Sequence, residues 1–270
     1  MNSGLYAVQH IRKMRGGSQA HLMRASDGAY WVCKFQNNPQ HLRVLANEMF
    51  ATRLGRWLGL PMPPVEVIEV SDWLVTNTPD LRVEVAGVAA PCSTGLQLAS
   101  LYPDIESQIF DYLPESMLGR VAKLDEFARC LILDKWTCNS DGRQAIFVRK
   151  PRGRKYSASF IDQGYCFNAG EWDFPDSPLR GVYARNYVYA SVTGWESFEP
   201  ALTKAQECDI VDVWRCAEPI PPEWYGHDRG ALERLVETLH QRRQMIRALI
   251  AGFRQSSRNP FPDWKEDATV

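Results

Sequence analysis

Several groups of residues in this 270-residue chain have the types and spacing to do chemistry on an anion. Gly16-Gly17-Ser18, followed by Gln19, joins two stretches of strand character. Glycines there let backbone N–H groups approach a phosphate closely. A plain hairpin turn reads the same, because the run matches neither GxGxxG nor the longer nucleotide-binding loop ending in Gly-Lys. Lys34 stands in an aromatic, β-branched stretch, Trp31-Val32-Cys33-Lys34-Phe35, so its ammonium must reach water or an anion. Glu48, 14 residues on, falls close to the apolar stripe of the next helix, where it either meets that lysine or stays exposed. The run from Asp134 to Gln144 gathers carboxylate, amide and guanidinium groups, including Asn139, Asp141 and Arg143. Such a loop presents a proton acceptor, a metal ligand and a charge clamp together, or is an Asx-type turn. Asp162-Gln163-Gly164 comes 21 residues after Asp141. A carboxylate at a strand end before Gly can reach a hard cation, and a strand-ending turn is the plainer reading.

These residues need elements to hold them. The pattern predicts strands at 5–14, 20–24 and 30–35, with turns at Gly16-Gly17 and Ser26-Asp27-Gly28. Apolar residues then recur at helical spacing over 42–58, and Gly59 and Pro61 stop that helix. Residues 65–70 and 73–76 read as two more strands. Residues 78–103 are rich in small residues, Pro and Gly and read as a connector. Beyond it, 105–113 and 124–136 read as helices, 145–148 and 157–161 as short strands around the basic turn Pro151-Arg152-Gly153-Arg154. An irregular aromatic stretch covers 165–189, and helices are predicted at 199–208 and 229–253. The polar tail after Gln255 is expected to fray.

Composition excludes several classes. Hydrophobic residues are 45% and charged residues 23%, as in a folded globular chain. The formal net charge of -1 gives no global field to gather nucleic acid or an anionic membrane, which leaves room only for a local basic patch. No apolar run is long enough to span a membrane, and the first residues lack an apolar leader core. The seven cysteines are scattered with no CxxC, and the five histidines include no HExxH, so free buried thiols in a reducing, cytoplasmic setting are expected.

The order of the parts says more than any one of them. Glycine turn, strand Lys, helix Glu, loop Asp, hairpin and Asp-x-Gly follow the order found in kinase-type phosphotransferases. The chain resembles the HipA-like kinases over roughly Gly16 to Gly164. Gly17-Ser18-Gln19-Ala20-His21-Leu22 is similar to their phosphate loop and Val32-Cys33-Lys34-Phe35 to their nucleotide-lysine strand. Asn47-Glu48, with the exit Leu54-Gly55-Arg56-Trp57-Leu58-Gly59-Leu60-Pro61, is similar to their Asn-Glu helix. Asn139-Ser140-Asp141-Gly142-Arg143 resembles the catalytic segment and Asp162-Gln163-Gly164 the metal segment. Two positions depart from the pattern: Ile146 stands where the family has a metal-binding Asn, and Arg143 where it has His. The toxins of the family carry an extra subdomain ahead of the phosphate loop, and only 15 residues precede Gly16 here, so the resemblance implies a chain without it.

The resemblance therefore implies an α+β, bilobal protein-kinase-like fold: a sheet-rich lobe over residues 1–78, a hinge and connector over 79–103, a helical lobe over 104–255 and a tail over 256–270. ATP and Mg²⁺ are the implied cofactors. Gly16, Gly17, Ser18 and Gln19 would cover the phosphates, Lys34 would bind them and Glu48 would orient Lys34. Asp141 would accept the acceptor hydroxyl proton or orient that hydroxyl, Arg143 and Lys34 would be catalytic beside it, and Asp162 with Gln144 would hold the metal. The expected reaction is γ-phosphoryl transfer to a protein serine or threonine. A small-molecule or lipid head-group kinase and a nucleotide-binding pseudokinase are the alternatives. The partner is a protein or small-molecule acceptor, with no membrane and no direct nucleic-acid contact expected.

Overall fold

The structure is a computed structural model and describes residues 4–265. Seven strands lie in the first part of the chain: β1 (Leu5–Lys13), β2 (His21–Ala25), β3 (Tyr30–Lys34), β4 (Val65–Val70), β5 (Arg82–Val85), β6 (Val88–Pro91) and β7 (Gly95–Leu101). Five of them close a barrel in the order β1-β2-β3-β7-β4, with β1 antiparallel to β2 and parallel to β4. The period of two decides which face each side chain takes. Trp31 and Cys33 of β3, with Phe35 just beyond it, enter the barrel core beside Met23, Ile68 and Ala99. Val32 and Lys34 must then take the opposite face.

Helix α1 (Val44–Trp57) lies between β3 and β4 and is buried from Val44 through Thr52. A helix buried on so much of its circumference needs partners on several sides. Its apolar residues join the larger core, which runs through the helical part of the molecule, rather than the barrel core. Gly59, at φ +86°, ends it as the sequence predicts.

The remaining elements build the second part. Helix α2 (Asp72–Thr76) leads back to β5. Strand β8 (Gln108–Phe110) precedes helices α3 (Glu115–Leu118) and α4 (Glu126–Trp136). Strands β9 (Gln144–Arg149) and β10 (Ser157–Ile161) form a hairpin, and the sheet order is β10-β9-β8. Helices α5 (Ala201–Gln206), α6 (Ile210–Ala217), α7 (Arg229–Arg242) and α8 (Ile246–Arg254) complete the helical core.

Five expectations change. Residues 73–76 lie in a short helix, not a strand, because Ser71 caps it by accepting from Leu74 N at 3.2 Å. Residues 105–113 contain β8 rather than a helix. An Asx turn at Asp104 starts that segment and β9 supplies a strand partner. The connector at 79–103 carries the β5–β6 hairpin and β7, whose residues pair with both β3 and β4, so the chain leaves the barrel only at Leu101. The helix expected at 229–253 is broken by a 3-10 turn at Arg243–Met245. The tail does not fray as far as Lys265: Phe261 is buried, Trp264 packs on Trp195, and Lys265 N donates to Thr193 O at 2.8 Å. The rest of that tail, residues 266–270, lies outside the described residues. All seven cysteines are buried and unpaired. Among the described residues no helix is long and apolar enough to cross a membrane.

Candidate active site

Lys34 sits at the end of β3, on the face turned away from the barrel core. Its ammonium lies 2.8 Å from Glu48 Oε2 on α1 and 2.9 Å from Asp162 Oδ1, just past β10. Burial alone would lower its pKa, but the two carboxylates outweigh that and hold it above the ordinary lysine value. Asp162 is held below the ordinary carboxylate range by Lys34, against its own burial, with Arg143 and a hydrogen bond from Gln144 adding to the effect. Glu48 Oε2 also accepts from the backbone N of Gln163 at 2.8 Å. One carboxylate oxygen thus fixes both the lysine and the segment that carries Asp162. Asp162 itself has φ +63°, an unusual conformation for a residue with a Cβ.

The glycine turn is open at Gly16 and Gly17 and closes at Gln19. Gly16 takes φ +119°, which only glycine adopts freely, and Gln19 N donates back to Gly16 O at 3.2 Å. Ser18 O accepts from Asn38 Nδ2 at 2.9 Å, so the turn is tied to the loop after β3. The side chain of Gln19, expected at the phosphates, is instead engaged with its own lobe. It accepts from Lys13 Nζ at 2.8 Å and from Glu84 N at 2.7 Å, and donates to Glu84 O at 2.7 Å. Gln19 therefore fastens the turn to β5, and its amide is spent there.

The loop after α4 is organised from below by Asp134, a residue the sequence reading placed in the loop without a role. Asp134 is 1% exposed and accepts from Asn139 Nδ2 at 2.9 Å and from Arg143 Nε at 3.1 and 3.0 Å. Arg143 also donates to Ile161 O at 3.1 Å. Arg143, expected to be a catalytic side chain, is therefore buried in an ion pair and positions the loop instead. A fully desolvated guanidinium needs such a bidentate partner. Asn139 Oδ1 in turn accepts from Asp141 N at 3.1 Å, which orients the loop so that Asp141 is exposed. Asp141 Oδ2 accepts from Gln144 Nε2 at 3.2 Å, and Gln144 stands beside Asp162 as well, where its amide helps to keep that carboxyl ionised. The fold thus brings Lys34, Glu48, Asp141, Gln144 and Asp162 to one place.

The groups that could hold a cation are two carboxylates, Asp141 and Asp162, with the amide of Gln144 beside them. Among the described residues no group of three or more His, Cys, Asp and Glu is poised around a metal. Two carboxylates suit a cation whose other ligands are phosphate oxygens and water, rather than one caged wholly by protein. Gln144 and Ile146 share one face of β9 by the strand period, so an amide is present on the face where Ile146 supplies none.

The segment following Asp162 is gripped by α1 and the residues before it. Asn47 Nδ2 donates to the carbonyls of Gly164 at 2.9 Å, Cys166 at 2.9 Å and Ala169 at 2.6 Å. Its Oδ1 accepts from Trp172 Nε1 at 2.7 Å. His41 donates to Gly164 O at 2.9 Å, and Arg43 donates to Gly170 O while lying 4.2 Å from the Trp172 ring centre. Further on, Lys135 donates to three carbonyls, Ser177, Pro178 and Arg180, at 3.3, 2.8 and 2.7 Å. Burial pushes its pKa down to about 8 despite nearby Asp134 and Asp176. Arg242 holds Asp176 with bonds of 2.9 and 2.7 Å. Sequence reasoning missed the roles of Lys135 and Arg242, because their partners are carbonyls or residues far along the chain, and that of Asp134, although its partners Asn139 and Arg143 stand only five and nine positions on. Asn47 had one usable signal: it stands directly before Glu48.

A family model described as HipA-like kinase matches residues 8–146, a span holding the glycine turn, Lys34, Glu48 and Asp141. Among solved structures, the Golgi casein kinase with Mn/ADP bound superposes with TM-score 0.52 at 11% identity, covering 93% of this chain and 74% of that one. The Helicobacter pylori proinflammatory kinase CtkA gives TM-score 0.52 at 12% identity, covering 87% of this chain and 94% of that one. At these identities the likeness is one of fold, and the fold is the bilobal α+β one of kinases. A comparison with the curated proteins gives no match. The family match spans more than half of the chain and includes the lysine–glutamate pair of the site, and the chain belongs to the HipA-like kinase family.

Proposed function

We propose that the protein transfers the γ-phosphoryl group of ATP, with a bound Mg²⁺, to a serine or threonine hydroxyl of a polypeptide in the cytoplasm. The observation that carries this reading is the Lys34 ammonium held between Glu48 and Asp162, with Asp141 linked to Asp162 through Gln144. Lys34 has three N–H bonds and spends two on these carboxylates, which leaves one for a phosphate oxygen. The φ of +119° at Gly16, in the turn between β1 and β2, supports phosphate cover by that backbone. Asp162, with Asp141 or Gln144, would hold the cation, which neutralises charge on the phosphates when bound. Asp141 is the exposed carboxylate of the group and would accept the proton of the acceptor hydroxyl as that oxygen bonds the γ-phosphorus and the bond to ADP breaks. Positioning and charge compensation do most of such catalysis. The buried, unpaired cysteines suit a reducing compartment.

Ile146, where the family has a metal-binding amide, favours one second reading: a member that binds nucleotide without transferring it. One experiment separates the two. The wild-type chain and Asp141→Asn are melted with Mg-ATP and then incubated with labelled ATP and a Ser/Thr peptide library. Ligand at 100 times its dissociation constant should stabilise by about 2.7 kcal/mol. Both proteins are expected to show the shift, with transfer in the variant down by about 10²–10⁴-fold. A shift without transfer in the wild type supports the nucleotide-binding reading. No shift removes both.

A further inference from the structure

Residues 142–161 contain no Asp or Glu, yet they carry Arg143, Arg149, Lys150, Arg152, Arg154 and Lys155. Arg143 is spent on Asp134. The other five stand at the turn between β9 and β10, where Lys150, Arg152, Arg154 and Lys155 are exposed. Arg120 joins them by donating to Arg154 O at 3.0 Å. Among the described residues none of these six forms a salt bridge. In a chain of net charge -1, this is a concentration of cations that the fold leaves uncompensated. Like charges gathered in this way repel one another, and among the described residues no ion pair offsets that cost.

Two of the guanidinium groups, those of Arg149 and Arg120, are held in place. Arg149 donates through Nε to Gln108 Oε1 at 3.1 Å and lies 5.5 Å from the Tyr156 ring centre and 5.7 Å from that of Phe110. Arg120 lies 5.8 Å from the same Tyr156 ring. Aromatic faces and an amide array these cations, which keeps their charge available. The location is also defined. β9 and β10 pair Gln144 with Ile161 at one end and Val148 with Ser157 at the other. The basic turn is therefore the far end of the hairpin whose near end leads into Asp162. Five residues at about 3.3 Å each put it about 17 Å from the site.

We infer that this turn, residues 149–155 with Arg120, is a docking surface for an acidic segment of the polypeptide acceptor. The inference rests on the proposed protein-kinase reading for the identity of its partner. A row of carboxylates on an extended peptide matches the Lys and Arg heads presented on one hairpin, and the contact would act chiefly on encounter and local concentration. A single-stranded nucleic acid is a poorer fit, because the turn offers no free ring for a base to stack on. Tyr156 is 3% exposed and already covered by Arg120 and Arg149.

The test measures binding apart from transfer. A fluorescent oligo-glutamate peptide is titrated with the full chain at low and high salt, beside an oligo-lysine peptide and a single-stranded RNA. The same series uses the fourfold variant Lys150→Gln, Arg152→Gln, Arg154→Gln and Lys155→Gln, whose Mg-ATP thermal shift reports an intact nucleotide site. The expected result is binding of oligo-glutamate that weakens with salt and falls by about tenfold or more in the variant, with its nucleotide shift unchanged. Absent binding, equal binding by the variant, or preference for RNA each overturns the proposal. Because peptide binding and the nucleotide shift are read separately, loss of the docking surface is distinguishable from loss of the kinase reading.

Discussion

Asn47 donates to the backbone carbonyl of Gly164 from 2.9 Å, across 117 positions of sequence, and through the same nitrogen to Cys166 and Ala169. Its neighbour Glu48 holds Lys34 and the backbone of Gln163. Two consecutive residues of α1 therefore lock the lysine of the barrel to the segment bearing Asp162. Asn47→Ala strands buried carbonyls and should destabilise the protein by about 2–4 kcal/mol. It should also weaken the metal dependence of nucleotide binding. Urea denaturation and thermal shifts with nucleotide, with and without Mg²⁺, measure both, and an unchanged midpoint removes Asn47 from this role.

Lys34→Met leaves Glu48 and Asp162 facing each other with no cation between them. Breaking a buried pair from one side costs about 3–5 kcal/mol. The sign with pH follows from Asp162, whose carboxyl Lys34 holds below its ordinary value. That stabilisation is present above the unfolded carboxylate pKa and is lost as pH falls through the lower folded one. The stability gap between wild type and variant should therefore narrow in acid. Glu48→Gln added to Lys34→Met should recover part of the loss at neutral pH, and a double-mutant cycle by denaturation reads the coupling.

Gly181 has φ +70°, and a Cβ there would lie 2.7 Å from Asp134 Cβ and 3.1 Å from Asn139 Cβ. Gly181→Ala must push away the base of the loop carrying Asp141, and with it the bond from Arg143 N to Val182 O. Strain and displacement together should cost about 2–4 kcal/mol. Peptide transfer should fall more than Mg-ATP binding, because the clash is with Asp134 and Asn139 under the Asp141 loop and not with Lys34 or the glycine turn. Equal losses in the two assays would contradict this account.

His21 is buried at the start of β2, with Nε2 3.1 Å from Arg82 O and Nδ1 3.0 Å from His10 Nε2. The carbonyl can only accept, so Nε2 carries the hydrogen and Nδ1 accepts from His10. Burial foremost, with the charges of His10 and Lys13, pushes the His21 pKa down to about 4 from 6.5. The unfolded chain then binds a proton first, so stability is fully present above pH 6.5 and declines as pH falls toward 4. His21→Gln should flatten that decline by about 1–3 kcal/mol, read from denaturation midpoints across the window.

Much of the first lobe was legible because its signals are local. The period of two around Trp31, Cys33 and Phe35 places Lys34 on the opposite face, and the helical spacing after Leu42 with Gly59 and Pro61 marks α1. The misreadings share a cause. β7 is broken up by Gly95, Gln97 and Ser100 and is a strand only because β3 and β4 flank it. Residues 105–113 look helical in isolation, and β9 claims three of them. The tail carries Phe261 and Trp264, whose apolar surface finds a home only when Trp195 and Tyr189 are brought alongside.

What the sequence by itself determined is the order of chemical groups and the faces on which periodicity sets them: glycine turn, strand lysine, helix glutamate, loop aspartate and Asp-x-Gly. Tertiary structure alone decided which of those groups meet and which are spent elsewhere. Gln19 goes to β5 and Arg143 to Asp134, while Gln144 spans Asp141 and Asp162. The physical reason is that a polar group takes whatever partner the folded chain brings within about 3 Å, and sequence order does not say whether that partner is nine residues away, as Asp134 is from Arg143, or 65, as Glu84 is from Gln19.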